Sequence, residues 1–342
     1  MRDNEVITLA HGAGGRASAQ LIDNIFVEAF GAQDEAALQD SAVLDLPTLT
    51  AFGNRLAFTT DSFVVSPLIF PGGDIGKLAV CGTVNDLAVS GAVPMYLSAG
   101  FILEEGLPIS VLRTAVQTMA KTAREAQVRI ITGDTKVVAK GQVDQLFINT
   151  SGVGVIPAQI NINSTLADGG DVVLVNGFIG DHGAAVMLAR QELGLEASMA
   201  SDCAPLNGLI ADLLQHCPDI RVMRDATRGG VGTVLHEIAH ASNVTISLDE
   251  KSLPIRPQTQ AICDLLGMDP LFFANEGLAV FLVPKSQADK ALAVLRDNQY
   301  GRHACQIGQV VKTEQSLLYI NTNFNSKRMI ELPYGIQLPR IC

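Results

Sequence analysis

At 342 residues, of which 48% are hydrophobic and 17% charged, the chain is long enough for about two globular domains, each with its own apolar core. Thirty-five acidic residues against 24 basic ones give a net charge of −11, which argues against nucleic acid or an anionic membrane as partner and leaves any anionic substrate in need of metal cations. The first residues hold no apolar leader, and the apolar run 87–103 is broken by Pro94 and by glycines, so a cytoplasmic protein is expected.

The six cysteines (81, 203, 217, 263, 305 and 342) contain no CxxC pair, which indicates neither a zinc site nor a disulfide framework, and the first five are expected to be buried thiols. The first patterned stretch, Leu9-Ala-His-Gly-Ala-Gly-Gly-Arg16, is a glycine loop leading into a helical repeat through Phe30. Backbone N–H groups exposed at such a helix start suit phosphate oxygens, which makes His11, Gly14 and Gly15 nucleotide candidates. A short strand is predicted over 40–45 and a longer one over 56–65, the latter carrying Asp61 among apolar neighbours, where an unpaired carboxylate is costly unless a metal or a partner holds it.

A small-residue helix over 78–91 contains Asn85 and Asp86, and an amphipathic helix over 110–127 is expected with Ser110 as its N-cap. Strands follow over 128–136, ending in Gly133-Asp134-Thr-Lys136, and over 145–155; an Asn, Ser and Gly-rich linker runs from 157 to 170. The second half opens with a buried strand over 171–175 and continues with helices near 181, over 204–216, 231–241 and 286–298, and with strands over 278–283, 307–311 and 317–320. Beyond them, Leu332-Pro-Tyr-Gly-Ile-Gln-Leu-Pro339 resists helix and favours extended backbone. An arm of ten such residues reaches at most roughly 33 Å, enough to carry the thiol of Cys342 between two active sites.

Six acids, Asp40, Asp61, Asp86, Asp134, Asp225 and Glu276, stand at strand ends or beside glycines, and Mg2+ takes a few such carboxylates together with substrate phosphates. Lys136 suits a transferring phosphoryl group as a point charge, and no Walker A sequence is present. Thr60-Asp61-Ser62, Asn85-Asp86-Leu-Ala-Val-Ser-Gly91, Gly133-Asp134-Thr and Asp225-Ala-Thr-Arg-Gly-Gly230 resemble the aspartate motifs of the ATP-binding superfamily that includes aminoimidazole ribonucleotide synthetase, thiamine-monophosphate kinase and selenophosphate synthetase. With His11-Gly-Ala-Gly-Gly15, Gly133-Asp-Thr-Lys136 and the terminal Pro339-Arg-Ile-Cys342, the whole chain resembles the carbamoyl dehydratase family of hydrogenase maturation.

The resemblance implies an α/β plus α+β architecture, a two-domain aminoimidazole ribonucleotide synthetase-like fold with a flexible C-terminal tail. Its parts are an ATP-binding and dimerising domain over 1–157, a second domain over 158–321 and an arm over 322–342. It implies ATP and Mg2+ as cofactors, with His11, Gly14, Gly15, Asn85, Gly133, Arg228 and Gly229 at the nucleotide and Asp40, Asp61, Asp86, Asp134 and Asp225 at the metal. It also implies the activity: a carbamoyltransferase charges Cys342, ATP is consumed to ADP and phosphate as the thiocarboxamide loses water, and the resulting thiocyanate supplies cyanide to an iron-carrying scaffold complex. Glu276 is assigned as the base and Lys136 as the phosphoryl contact, in a homodimer. A small-molecule kinase or synthetase of the same superfamily, or a thiol carrier without chemistry, remains as an alternative, which ATP turnover dependent on carbamoylation would separate.

Overall fold

The structure, a computed structural model, describes residues 1–31, 41–190, 198–313 and 315–333. Asp40 and Cys342, with the rest of the expected arm beyond Pro333, lie outside the described residues. The N-terminal half holds β1 (Arg55–Phe63), the two-residue pair β2 (Ile69–Phe70) and β3 (Gly73–Asp74), β4 (Val93–Glu104), β5 (Arg129–Val138) and β6 (Leu146–Ile156). Its main sheet has the order β1-β6-β4-β5, antiparallel except for the β4–β5 pair.

Two helices cover one face of this sheet. The helix Ile75–Val89 is buried along almost its whole length and is started by Asp74, whose carboxylate accepts from the N–H groups of Gly76 at 2.8 Å and Lys77 at 3.0 Å. A Cβ on Gly76 would lie 2.0 Å from the Ala115 carbonyl oxygen, so this helix meets its neighbour, Ile109–Glu125, backbone to backbone. That second helix buries Leu112, Ala115, Val116, Met119 and Ala123, the face expected from its apolar period. It is capped by Pro108 and not by Ser110, because the Pro108 carbonyl already accepts from Val111 and Leu112.

The C-terminal half contains β7 (Val172–Val175), β8 (Val222–Asp225), β9 (Thr245–Asp249), β10 (Ala279–Val283), β11 (Cys305–Val311), β12 (Leu318–Asn321) and β13 (Lys327–Met329). They form one sheet in the order β13-β12-β9-β11-β7-β10-β8, in which β9 and β12 alone run parallel. Central strands β7 and β10 are buried at every position, as their unbroken Val, Leu, Ala and Phe runs require. Helices Gly230–Ser242 and Asn207–His216 contribute to separate apolar clusters that share this sheet.

Several elements depart from the sequence pattern. Residues 41–45 form no strand, since Pro47 starts the helix Leu46–Thr50 directly after Asp45. Strands β4, β8 and β9 and the helix Pro257–Leu266 add to the expected elements. Strand β13 pairs with β12 and Ile330 is buried, so residues 327–329, expected in the arm, belong to the sheet, and Ile330 packs beside it. Among the described residues no helix is long and apolar enough to cross a membrane. Cys81, Cys203, Cys217 and Cys263 are buried thiols and Cys305 is half-buried.

Candidate active site

Between the two sheets lies a cleft of about 800 Å³, lined in part by Asp61, Asp86, Arg224, Asp225, Arg228 and Glu276. Each acid arrives from a different element. Asp61 comes from β1, Asp86 from the helix Ile75–Val89, Asp225 from the end of β8, and Glu276 from the loop preceding β10. Strand alternation turns Asp61 towards that helix, on the same face as buried Phe63. Asp86 accepts from Thr59 Oγ1 at 2.8 Å, and Asp61 accepts from the Ser62 N–H at 2.8 Å.

Burial drives the electrostatics. Desolvation raises the carboxyls of Asp61 and Asp86, the latter also through the Asp61 charge. Asp225 is pushed up to about 7 by desolvation and then by Asp86, against the pull of Arg224. Glu276, only 3% exposed, is raised well above the usual carboxylate range by desolvation, with Cys203 and Asp225 adding to it. Asp225 Oδ2 and Glu276 Oε2 are buried without a hydrogen-bond partner. Oxygens in that condition call for a cation or a substrate group.

The remaining residues singled out by sequence fall into two sets. Asn85 is buried, and its amide donates to the Ala204 carbonyl at 3.0 Å and accepts from the Leu206 N–H at 2.7 Å, so it pins the two domains together beside the cleft. Gly229 has φ +78°, where an added Cβ would lie 2.3 Å from Thr233 Oγ1; it shapes the turn that starts the helix Gly230–Ser242. The second set lies at the other edge of the N-terminal sheet, where His11, Gly14, Gly133 and Asp134 line a cavity of about 520 Å³. Gly15, at φ +108°, caps the helix that begins at Arg16, while His11 Nδ1 accepts from the Thr8 N–H at 2.9 Å.

Register explains the separation. Across the sheet Asp61 is aligned with Thr150, Ala99 and Gly133, and Ser62 with Asn149, Gly100 and Asp134. Asp61 and Asp134 therefore point to opposite faces. Asp134 is ion-paired with Lys136 at 2.9 Å, both exposed on the open face, and the Lys136 hydrogen bond lowers its carboxyl. Among the described residues no three metal-binding side chains converge on one point, so an ion in the cleft would be held by one or two of Asp61, Asp86 and Asp225 and complete its shell with phosphate oxygens and water. The orphaned Asp225 oxygen fits such an ion.

Two neighbours of the site were not singled out by the sequence pattern. Thr59, which orients Asp86, stands beside the quoted motif and could have been found from it. Asp202 accepts from Asn275 Nδ2 at 2.8 Å and from the N–H groups of Glu276 and Gly277 at 3.1 Å each, and nothing in its local sequence marks it.

Family models for the AIR synthase related protein match the chain in both halves, the N-terminal domain over residues 38–156 and the C-terminal domain over 168–320. Carbamoyl dehydratase HypE of Escherichia coli K12 is 51% identical over 336 residues, 98% of this chain and 99% of that one. A crystal structure of hydrogenase maturation protein HypE in complex with ATP superposes with a TM-score of 0.91 at 43% identity, covering 98% of this chain and 99% of the other. HypE in a crystallised HypE–HypF complex superposes with a TM-score of 0.79 at 48% identity, covering 92% and 99%.

Proposed function

Because the chain belongs to the AIR synthase related family and, within it, to the HypE carbamoyl dehydratases, we propose that it dehydrates a carbamoyl group carried on Cys342 at the expense of ATP, in the service of hydrogenase maturation. The observation that carries this reading is the cleft, where buried, partnerless oxygens of Asp225 and Glu276 face the same space as Asp61, Asp86 and Arg228. ATP, with which a HypE relative is crystallised, would bind in this region, where the aspartates could meet its phosphates through metal ions. Mg2+ ions, each held by one or two of Asp61, Asp86 and Asp225, with Asp40 as a further candidate ligand, would neutralise phosphate charge and align the oxygens in the transfer.

The amide oxygen of the thiocarboxamide is a poor leaving group and attacks the γ-phosphate, releasing ADP. Loss of the phosphorylated oxygen as phosphate, with the nitrogen protons removed, leaves the thiocyanate. Glu276 takes a proton from that nitrogen; burial raises its carboxyl, so that in its ionised form it is a stronger base than an ordinary carboxylate. Arg228 faces the same cleft and supplies positive charge to the phosphates. HypF, which a HypE relative is crystallised with, is the carbamoyltransferase that charges Cys342, and the cyanide leaves to an iron-carrying scaffold.

Lys136 and Asp134 enter this scheme through a homodimer. They project from the open face of the N-terminal sheet, which also presents Phe58, 72% exposed, and Ile102, 40% exposed. Two such faces stacked on each other bury these residues and bring the Asp134–Lys136 pair of each copy into a site shared between them.

Intact mass tests the whole scheme. After incubation with carbamoyltransferase, carbamoyl phosphate and ATP, Cys342 should carry first a carbamoyl and then a cyano group. Release of phosphate from ATP by chain that has never been carbamoylated, at the same rate as by charged chain, would point to a small-molecule kinase instead.

A further inference from the structure

Resting on the reading of Glu276 as the base, we propose that Asp202 is a positioning residue for the dehydration step, its carboxylate holding the Asn275–Gly277 loop so that Glu276 presents its carboxyl to the cleft. Asp202 itself does not line the cleft. Its Oδ2 accepts from Asn275 Nδ2 at 2.8 Å and the Gly277 N–H at 3.1 Å, and its Oδ1 accepts from the Glu276 N–H at 3.1 Å. Three donors thus converge on one carboxylate. The fit is so close that a Cβ on Gly277 would lie 1.8 Å from the Asp202 carbonyl oxygen.

The opposite side of the Glu276 backbone is held as well. Its carbonyl accepts from the Ala204 N–H at 3.2 Å and from Asn85 Nδ2 at 3.4 Å. Asn275 ties the loop to the second domain by accepting from the Gly180 N–H at 2.8 Å and donating to the Phe178 carbonyl at 2.9 Å. The result is a residue with both backbone groups fixed and a side-chain oxygen, Oε2, left without a partner. A base needs that combination, because an ångström of misplacement at the reacting atom costs far more rate than affinity.

The chemistry of the clamp selects a carboxylate. Burial disfavours the Asp202 charge and raises its carboxyl, and the hydrogen bonds from Asn275, Glu276 and Gly277 oppose that shift. Asparagine of the same shape has one acceptor oxygen and presents an NH2 group to the second set of N–H donors. It cannot hold both halves of the loop.

The test uses the full chain, charged by its carbamoyltransferase, with the cyano form followed by intact mass in single turnover. Asp202→Asn should accept the carbamoyl group and keep the wild-type KM for ATP, while the dehydration rate falls on the order of a hundredfold. Asp202→Glu, which restores both acceptor oxygens one methylene further out, should recover part of that loss. A wild-type dehydration rate in Asp202→Asn overturns the proposal, as does a parallel loss of ATP affinity, which marks general damage. If Asp202→Asn does not fold, Asp202→Glu carries the test: slowed dehydration at unchanged KM supports the clamp and an unchanged rate overturns it. Glu276→Gln in parallel keeps the two ideas apart. Dehydration at the wild-type rate in Glu276→Gln sinks the reading of Glu276 itself, whereas a stall there with Asp202→Asn unaffected sinks the role of Asp202 alone.

Discussion

Asp225 sets the character of the cleft at the scale of single residues. Its carboxyl, pushed up to about 7, keeps a proton in the folded chain at pH values where the unfolded chain has lost it. Stability from this source is therefore complete below the ordinary carboxylate range and is lost as pH rises through about 7, by an amount of order a few kcal/mol. The urea midpoint of nucleotide-free protein should accordingly fall between about pH 5 and pH 8, and Asp225→Asn should flatten that slope while raising the midpoint at the upper end. An unchanged slope in the variant would show that Asp225 is not the group responsible. With Mg-ATP the sign reverses: Asp61→Asn, Asp86→Asn and Asp225→Asn should each bind Mg-ATP more weakly by calorimetric titration, by at least tenfold for about 1.4 kcal/mol of lost attraction. At the chemical step, Glu276→Gln and Lys136→Ala should both bind ATP and accept the carbamoyl group, then accumulate the carbamoyl form; cyanation at the wild-type rate in either removes that residue from the mechanism.

Strand β1 shows how an element can serve two faces at once. Its odd positions carry Asp61 and Phe63 towards the helix layer, and its even positions carry Phe58 and Thr60 to the open side. Replacing Phe58 with Asp should leave the fold intact, because the side chain is exposed in the single chain, yet give monomers by light scattering and little dehydration. A dimeric, fully active variant would place the interface elsewhere. Periodicity made many elements legible: β1, β5, β6, β7 and β10 stand within a few residues of their expected ranges, since runs of Val, Ile and Leu bounded by glycine or proline leave little choice. It was less informative for β13, where Lys327-Arg-Met329 has no apolar alternation and is a strand only because β12 offers it an edge. Residues 41–45 failed as a strand for the converse reason, a local proline outweighing an apolar pattern.

Taken as a whole molecule, the acids of the cleft were recognisable one by one, but their grouping was not. Glycine-flanked aspartates can be picked out along a sequence; that Asp134 and Lys136 occupy the far side of the sheet from Asp61 follows only from pairing register, and Asp202 acts through contacts with residues more than seventy positions away. Cys342→Ala should retain the wild-type melting temperature and Mg-ATP affinity while never gaining the mass of a carbamoyl group, and modification of that variant would assign the carrier thiol to another cysteine. The Asn85 pin has a thermal consequence. Because its amide joins the first domain to Ala204 and Leu206, and Cys203 and Ala274 pack into the first domain's core while Ala88 and Val89 pack into the second's, neither half can melt without stripping the other. Scanning calorimetry should record one endotherm whose van't Hoff and calorimetric enthalpies agree, where two loosely joined domains would give two, and Asn85→Ala should pull that single peak apart.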